Sequence, residues 1–369
     1  MREARGESYR ADVVGSMLRP PYLRRARDRR AEGNLSEAEF KRIEDRAVDE
    51  CVAIQEQVGV GVLTDGEMRR NVFASQLVQA TEGFEPVDGN TVDWFTLDGK
   101  KETSPVTVGL VRPIERRRHL STEEFVYLRG RTDRPIKITI PSPTMFAYYW
   151  VPGVSDNAYP SPEAYLKDVA RILGDEVDEL VRLGATYIQV DAPEFGMLLD
   201  PHQQRWFAQK GFRVDRMVHD GVDLINEVIA GHPGVTFGLH ICRGNDASRY
   251  MAKGSYAAVA KEIFGRVQVD RLLLEYDDER SGDFAPLREV PEDKVVVLGL
   301  ITTKWPREET EKELVTRIEE ADRYVPLERL ALSTQCGFAS VAGGNDISPE
   351  AQQRKLNLVV QVARRVWES

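Results

Sequence analysis

The stretch VTFGLHIC, residues 235–242, decides the fold. Its apolar residues do not alternate with polar ones, as they would on a strand with one wet face. A short apolar run of this kind is a strand buried on both faces, which points to a parallel sheet covered by helices. The pattern repeats on either side. Upstream lie an amphipathic stretch near 213–230, the apolar run TYIQVDAP (186–193), and a helix to about Leu183 that opens on Ser161–Pro162. Downstream come a helix near 255–266, RLLLEYD (271–277), KVVVLGLI (294–301), a helix near 307–323, ERLALSTQCG (328–337) and a closing helix near 348–367. Towards the amino terminus, RPIKITIPSP (134–143), VGVLTDGE (60–67) and ADVVGS (11–16) read as three more strands. The helix at 36–59 starts on a capping box formed by Ser36 and Glu39.

Eight such strands, mostly separated by helices, predict an α/β fold: a (β/α)8 TIM barrel, one domain over residues 1–369. Residues 70–133 break the rhythm. They are irregular, charged and rich in turns, and are expected to be an insertion after the second strand carrying a hairpin. A doubly wound sheet would require a G-x-G-x-x-G turn after an early strand, and the sequence has none. The AGGND stretch beginning at Ala342 follows no clean strand and reads as a loop.

Composition narrows the function. Fifty Lys+Arg against sixty Asp+Glu give a net charge of −10, which argues against a nucleic-acid partner. The arginine-dense runs RRARDRR (24–30) and ERRRHL (115–120) read as solvated faces. No apolar run of about 18 residues exists to cross a membrane. The amino-terminal MREARGESYR has no apolar signal core, so a cytoplasmic location is expected. Three widely spaced cysteines make no disulfide framework; in a reducing compartment they are free thiols or metal ligands.

In a barrel of this kind, chemistry gathers at the carboxyl ends of the strands. There the sequence places Ser16, Asp65 and Glu67, Asp191, His240 and Cys242, Glu275, Lys304 and Cys336. His240 and Cys242, two apart on one strand, share a face. Glu275, on the next strand, and Cys336, on the eighth, would stand on the same rim. One imidazole, two thiolates and a carboxylate form a tetrahedral ligand set whose softness favours zinc. Cys51, inside the first long helix, reads as a buried structural thiol.

Several of these stretches together resemble the catalytic barrel of the cobalamin-independent methionine synthases. VVGSMLRP (13–20), LTDGEMRRN (63–71), YIQVDAPEF (187–195), GLHICRGN (238–245) and LSTQCGF (332–338) carry the likeness across most of the chain. The resemblance implies zinc held by His240, Cys242, Glu275 and Cys336, with Glu275 the displaceable ligand. It also implies that Ser16, Glu67 and Asp191 hold the amino and carboxylate ends of an amino-acid thiol. The expected activity is zinc-dependent methylation of homocysteine to methionine. The partners are then a small-molecule thiol and a small-molecule alkyl donor, folate or corrinoid, with an oligomer left open. The carboxylates of Glu67 and Asp191 suit a substrate ammonium, and metal binding turns a thiol into the nucleophilic thiolate.

Three departures from the family pattern bear on the donor. The chain has one barrel where the full-length enzymes have two, so it looks like the single-barrel members. Ala192 in VDAP stands where the family usually has glutamate, with Glu194 two positions on. The run LGLITTKWP (298–306) carries Lys304 where the family places a histidine that handles the leaving group's proton. Asp191 and Lys304 are the expected catalytic residues, Lys304 as a cationic donor, although a lysine of ordinary pKa near 10.4 would need a large shift to act as that acid. The aromatic PSPTMFAYYW (141–150) is expected to line the site. Two other readings remain. One is an epoxide–coenzyme M transferase using the same metal chemistry, its sulfonate met by Arg19, Arg69, Arg70 or Arg243. The other is a non-enzymatic, zinc-stabilised binding module.

Overall fold

The structure is a computed structural model that describes residues 9–368. Most of the amino-terminal stretch read for a targeting signal, residues 1–8, lies outside them. Ten strands are present among the described residues. Four lie between 70 and 133: β1 (Thr81–Pro86), β2 (Thr91–Phe95), β3 (Lys101–Pro105) and β4 (Val108–Arg116). The other six are β5 (Ile138–Pro141), β6 (Tyr187–Asp191), β7 (Thr236–Ile241), β8 (Arg271–Glu275), β9 (Val295–Ile301) and β10 (Leu330–Thr334).

Strands β5 to β10 form one parallel sheet in sequence order. Every residue of β5, β6, β7, β8 and β10 is buried, as continuous apolar runs require when helices cover the sheet. The helices fall where capping and amphipathic spacing place them. The helix Glu37–Val58 opens on the reciprocal Ser36–Glu39 capping box and ends at Gly59, whose φ of 86° only glycine adopts freely. The helices Pro162–Arg182, Val214–Ile229, Glu311–Asp322 and Pro349–Trp367 separate or follow sheet strands. No helix among the described residues is long and apolar enough to cross a membrane.

The strands expected at 11–16 and 60–67 are not regular strands. Each is reduced to a single parallel bridge, Ala11 with Leu332 of β10 and Leu63 with Ile136 just before β5. The Gly61 amide links the two by donating to the Ala11 carbonyl at 2.8 Å. Side chains have taken over the backbone's hydrogen bonds. The Asp12 carboxylate accepts from the Val13 amide, Thr64 Oγ1 donates to the Gly15 carbonyl, and the Gln55 amide group serves both the N–H and the C=O of Thr64. A chain satisfied in this way does not need a ladder.

Between 70 and 133, β1 and β4 pair antiparallel, and β2 and β3 form a separate hairpin. The hairpin is tied to the loop that follows β7. Phe95 and Tyr250 exchange backbone hydrogen bonds at 2.7 and 2.9 Å, and Trp206 Nε1 donates to the Thr91 carbonyl. At the amino edge of the sheet, buried Lys137 pairs with Asp12 at 2.7 Å, and Tyr187 and Arg271 close on the same carboxylate. The opposite, carboxyl edge carries the reactive side chains.

Candidate metal and substrate site

Parallel register brings the carboxyl ends together. Asp191 ends β6 beside His240 of β7, and Glu275 ends β8 beside Gly299 of β9. Cys242 directly follows β7, and Cys336 lies two residues past β10. Ligand atoms of His240, Cys242 and Cys336 all lie within 4.8 Å of one another, and all three residues are buried.

The imidazole is oriented for a ligand. His240 Nδ1 lies 3.1 Å from the Leu273 carbonyl, so it carries the proton, and the lone pair is left on Nε2. That nitrogen is buried and makes no hydrogen bond. The two thiols act as a pair. Hydrogen bonding between them, strengthened by burial, pushes Cys242 well above the ordinary thiol range. The same bond lowers Cys336 well below it against burial, with the His240 imidazole and the Lys304 charge assisting. A buried imidazole nitrogen beside two thiols, one held below and the other above the ordinary thiol range, is a donor set that suits a soft divalent ion.

These three residues share a cavity of about 280 Å³ with Ser16, Glu67 and Asp191. Glu67 sits at a φ of 53°, its amide donating to Asp65, and Thr139 donates to its Oε1 at 3.0 Å. A Cβ on Gly15 would stand 2.8 Å from that Oε1, so glycine there leaves the carboxylate its place. Asp191 accepts from Gln189 at 2.6 Å. Burial pushes its carboxyl up to about 7, with the Glu67 charge adding to the rise and the His240 imidazole opposing it.

Two residues of the expected set, Glu275 and Lys304, pair with each other and do not line the cavity. Glu275 is not in the group whose ligand atoms all lie within 4.8 Å of one another, and it does not line the cavity. Its Oε2 accepts the Arg243 amide at 3.1 Å, and its Oε1 faces Arg280 at 3.3 Å and Lys304 at 3.7 Å. Lys304 is fully buried, its Nζ 3.7 Å from Glu275, and it does not line the cavity. Glu194 does not take the place left by Ala192. It lies under the 141–150 segment, where Ser142 and Thr144 donate to its Oε1. Cys51 is buried in its helix against Gln55, as a structural thiol should be.

The 141–150 segment does reach the site, through Met145, Tyr148 and Tyr149. Sequence reasoning missed the rest of the outer wall. Val92 and Trp94 of β2 and Pro105 of β3 line the cavity, so the hairpin is part of the site. Asn245 was missed too; it donates to the Gly337 carbonyl at 2.7 Å and ties the loops after β7 and β10 together. It sat inside the stretch GLHICRGN that drew attention to His240.

Known proteins share this arrangement of chain. The family described as "Cobalamin-independent synthase, Catalytic domain" matches residues 10–365. YxjG of Bacillus subtilis is 34% identical over 98% of this chain and 95% of its own length. The methionine synthase of Pyrococcus abyssi is 28% identical over 88% of this chain and 85% of its own. The crystal structure of a putative vitamin-B12 independent methionine synthase from Listeria monocytogenes superposes with a TM-score of 0.74 at 30% identity, covering 97% of this chain and 98% of that one. With the match running from one end of the described residues almost to the other, the chain belongs to the cobalamin-independent methionine synthase family, as a catalytic domain of that family.

Proposed function

We propose that the protein is a zinc-dependent thiol methyltransferase that converts homocysteine to methionine. One observation carries the reading. The His240, Cys242 and Cys336 ligand atoms converge within 4.8 Å in the same cavity that Ser16, Glu67 and Asp191 line. A soft-donor cluster thus shares one cavity with a pair of carboxylates. We take the chain as a single closed barrel with 70–133 inserted. The bridges through Ala11, Gly61 and Leu63, which join the edges of the six-stranded sheet, support that view.

His240, Cys242 and Cys336 would hold the ion, which when bound supplies a Lewis acid that keeps an acceptor thiol deprotonated at neutral pH. The protein's own groups do the positioning. Glu67 and Asp191 receive the substrate ammonium. The raised pKa of Asp191 records a buried carboxyl without a cation, and an arriving ammonium would restore its charge. Ser16 Oγ accepts the Ala339 amide at 3.3 Å, which leaves its own hydrogen free for the substrate carboxylate.

A sulfonate-bearing acceptor finds less support. Arg19, Arg70 and Arg243 are committed to backbone carbonyls, Glu124 and Tyr256, and Arg69 to Asp45. None of the four lines the cavity. X-ray absorption at the zinc edge, with and without homocysteine, tests the proposal. Two sulfur scatterers should become three on adding the thiol, while coenzyme M should leave the spectrum unchanged. A zinc site that never gains sulfur would instead favour a structural metal in a non-enzymatic module.

A further inference from the structure

We propose that the methyl donor is a compact methylated onium cation, a sulfonium or a quaternary ammonium, in place of an anionic folate. The inference rests on the thiol methyltransferase reading and names the second substrate of the same site.

The cavity wall supplies the first argument. Trp94, Tyr148, Tyr149, Met145 and Met251 are among the residues that line it. Aromatic faces attract a methylated cation through their quadrupoles, and thioether sulfur is soft and polarizable. Trp94 already plays this part towards the protein, with the Arg249 guanidinium 5.5 Å from its ring centre. That arginine is neutralised by Asp246 and Glu102 and does not line the cavity.

Charge supplies the second. The acidic side chains that line the cavity are Glu67, Asp191 and Asp246, and among the described residues no lysine or arginine lines it. A polyanionic tail would meet three carboxylates and no lysine or arginine there. Size points the same way. At about 280 Å³ the space falls at the lower edge of the roughly 300–1,000 Å³ typical for one drug-sized ligand, and here two substrates must share it.

The leaving group supplies the third. A tertiary amine such as the folate N5 departs as an anion unless an acid protonates it. The segment after β9 reads Thr302, Thr303, Lys304, and the lysine is buried against Glu275, outside the cavity. An onium donor needs no acid. The acceptor thiolate's electron pair forms the new S–CH3 bond. The bond from that carbon to the positive heteroatom breaks, and its electron pair stays on the heteroatom. Anion and cation become two neutral molecules, a methyl thioether and a thioether or amine, with no proton moved in the step.

The test is methyl transfer to homocysteine by the zinc-loaded enzyme from methyl-deuterated S-methylmethionine, glycine betaine, 5-methyltetrahydrofolate triglutamate and methylcobalamin, read as labelled methionine by mass spectrometry. One onium donor should exceed the folate and the corrinoid by about 100-fold or more in kcat/KM. The two onium arms decide between sulfonium and ammonium. Labelled methionine from the folate or the corrinoid alone, or from none of the four, overturns the proposal. The zinc-edge sulfur gain on adding homocysteine then reports separately whether the thiol reading survives. Trp94→Leu should raise the onium KM about tenfold while leaving that sulfur gain intact, and Trp94→Phe should recover most of the loss. An unchanged KM in Trp94→Leu would remove the aromatic wall from the argument.

Discussion

Lys304 Nζ lies 3.7 Å from Glu275 Oε1, and neither side chain has any contact with solvent. The nitrogen makes no hydrogen bond. Glu275 is lowered despite burial by the charges of Lys304, Arg280 and Arg243, in that order. The carboxylate expected to ligate the metal is therefore paired with cations in this structure. Removing the lysine leaves a buried carboxylate with weaker compensation. Lys304→Met should cost about 3 kcal/mol in urea unfolding, and adding Glu275→Gln should return much of it. If Lys304→Met unfolds with the midpoint of the parent protein, the pair contributes no more than two uncoupled side chains.

The three convergent ligands predict a division among the cysteines. Cys242→Ser and Cys336→Ser should each lower zinc content per chain by more than half under dialysis, because one soft donor is lost from a set of three. Cys51→Ser should retain the metal, since that thiol packs against Gln55 in the helix Glu37–Val58. Elemental analysis decides. Full zinc in Cys336→Ser would place the ion elsewhere.

Much of this was legible because parallel strands are written as unbroken apolar runs. TYIQVDAP, VTFGLHIC, RLLLEYD and KVVVLGLI each gave a strand within a few residues, and the strand ends gave His240, Cys242, Cys336 and Asp191. The first two strands misled because Asp12, Thr64 and Gln55 satisfy the backbone through side chains, a bond pattern that apolar spacing does not encode. The β2–β3 hairpin left one trace, the Asp98–Gly99 turn, at which Gly99 takes a φ of 80°. Nothing in TVDWF or KETSP says that Trp94 would turn into the site, because that depends on the Phe95–Tyr250 pairing 155 residues away along the chain. The pairing of Glu275 with Arg280 and Lys304 was not legible either, because the strand pattern places these residues on the same edge but does not pair them.

Glu194 predicts a pH dependence of stability. Burial pushes its carboxyl up to about 7, and the hydroxyls of Ser142 and Thr144 draw it only part of the way back. The ordinary value is 4.5, so between about pH 4.5 and 7 the folded state holds the proton more tightly than the unfolded one. Stability from this group is then full below the lower value and falls as pH rises through the upper, by about 3 kcal/mol. Asp191 and Asp277, also raised to about 7, slope the same way, so the comparison must be differential. Glu194→Gln should lose relative stability at low pH and gain it at high pH. Parallel stability curves for the two proteins in urea unfolding from about pH 5 to 8 would show that Glu194 does not titrate this way.

Ser16 and Gly337 touch so closely that the glycine is obligatory. A Cβ at position 337 would stand 1.9 Å from Ser16 Oγ and 2.9 Å from the Ser16 amide nitrogen. The Phe338 amide donates to the Ser16 carbonyl at 2.8 Å, so the two loops cannot part without breaking that bond. Gly337→Ala should therefore displace the Ser16 hydroxyl and raise KM for homocysteine about tenfold, with a smaller change in kcat. It should also disturb Cys336, the neighbouring residue, and lower zinc content. Adding Ser16→Gly to Gly337→Ala removes the side-chain clash, leaving only the 2.9 Å approach to the backbone nitrogen, and separates the two effects: zinc content should largely return, while KM should stay high because the hydroxyl is gone. If the double variant recovers both, the hydroxyl does not touch the acceptor and the close contact serves only to hold Cys336 at the rim.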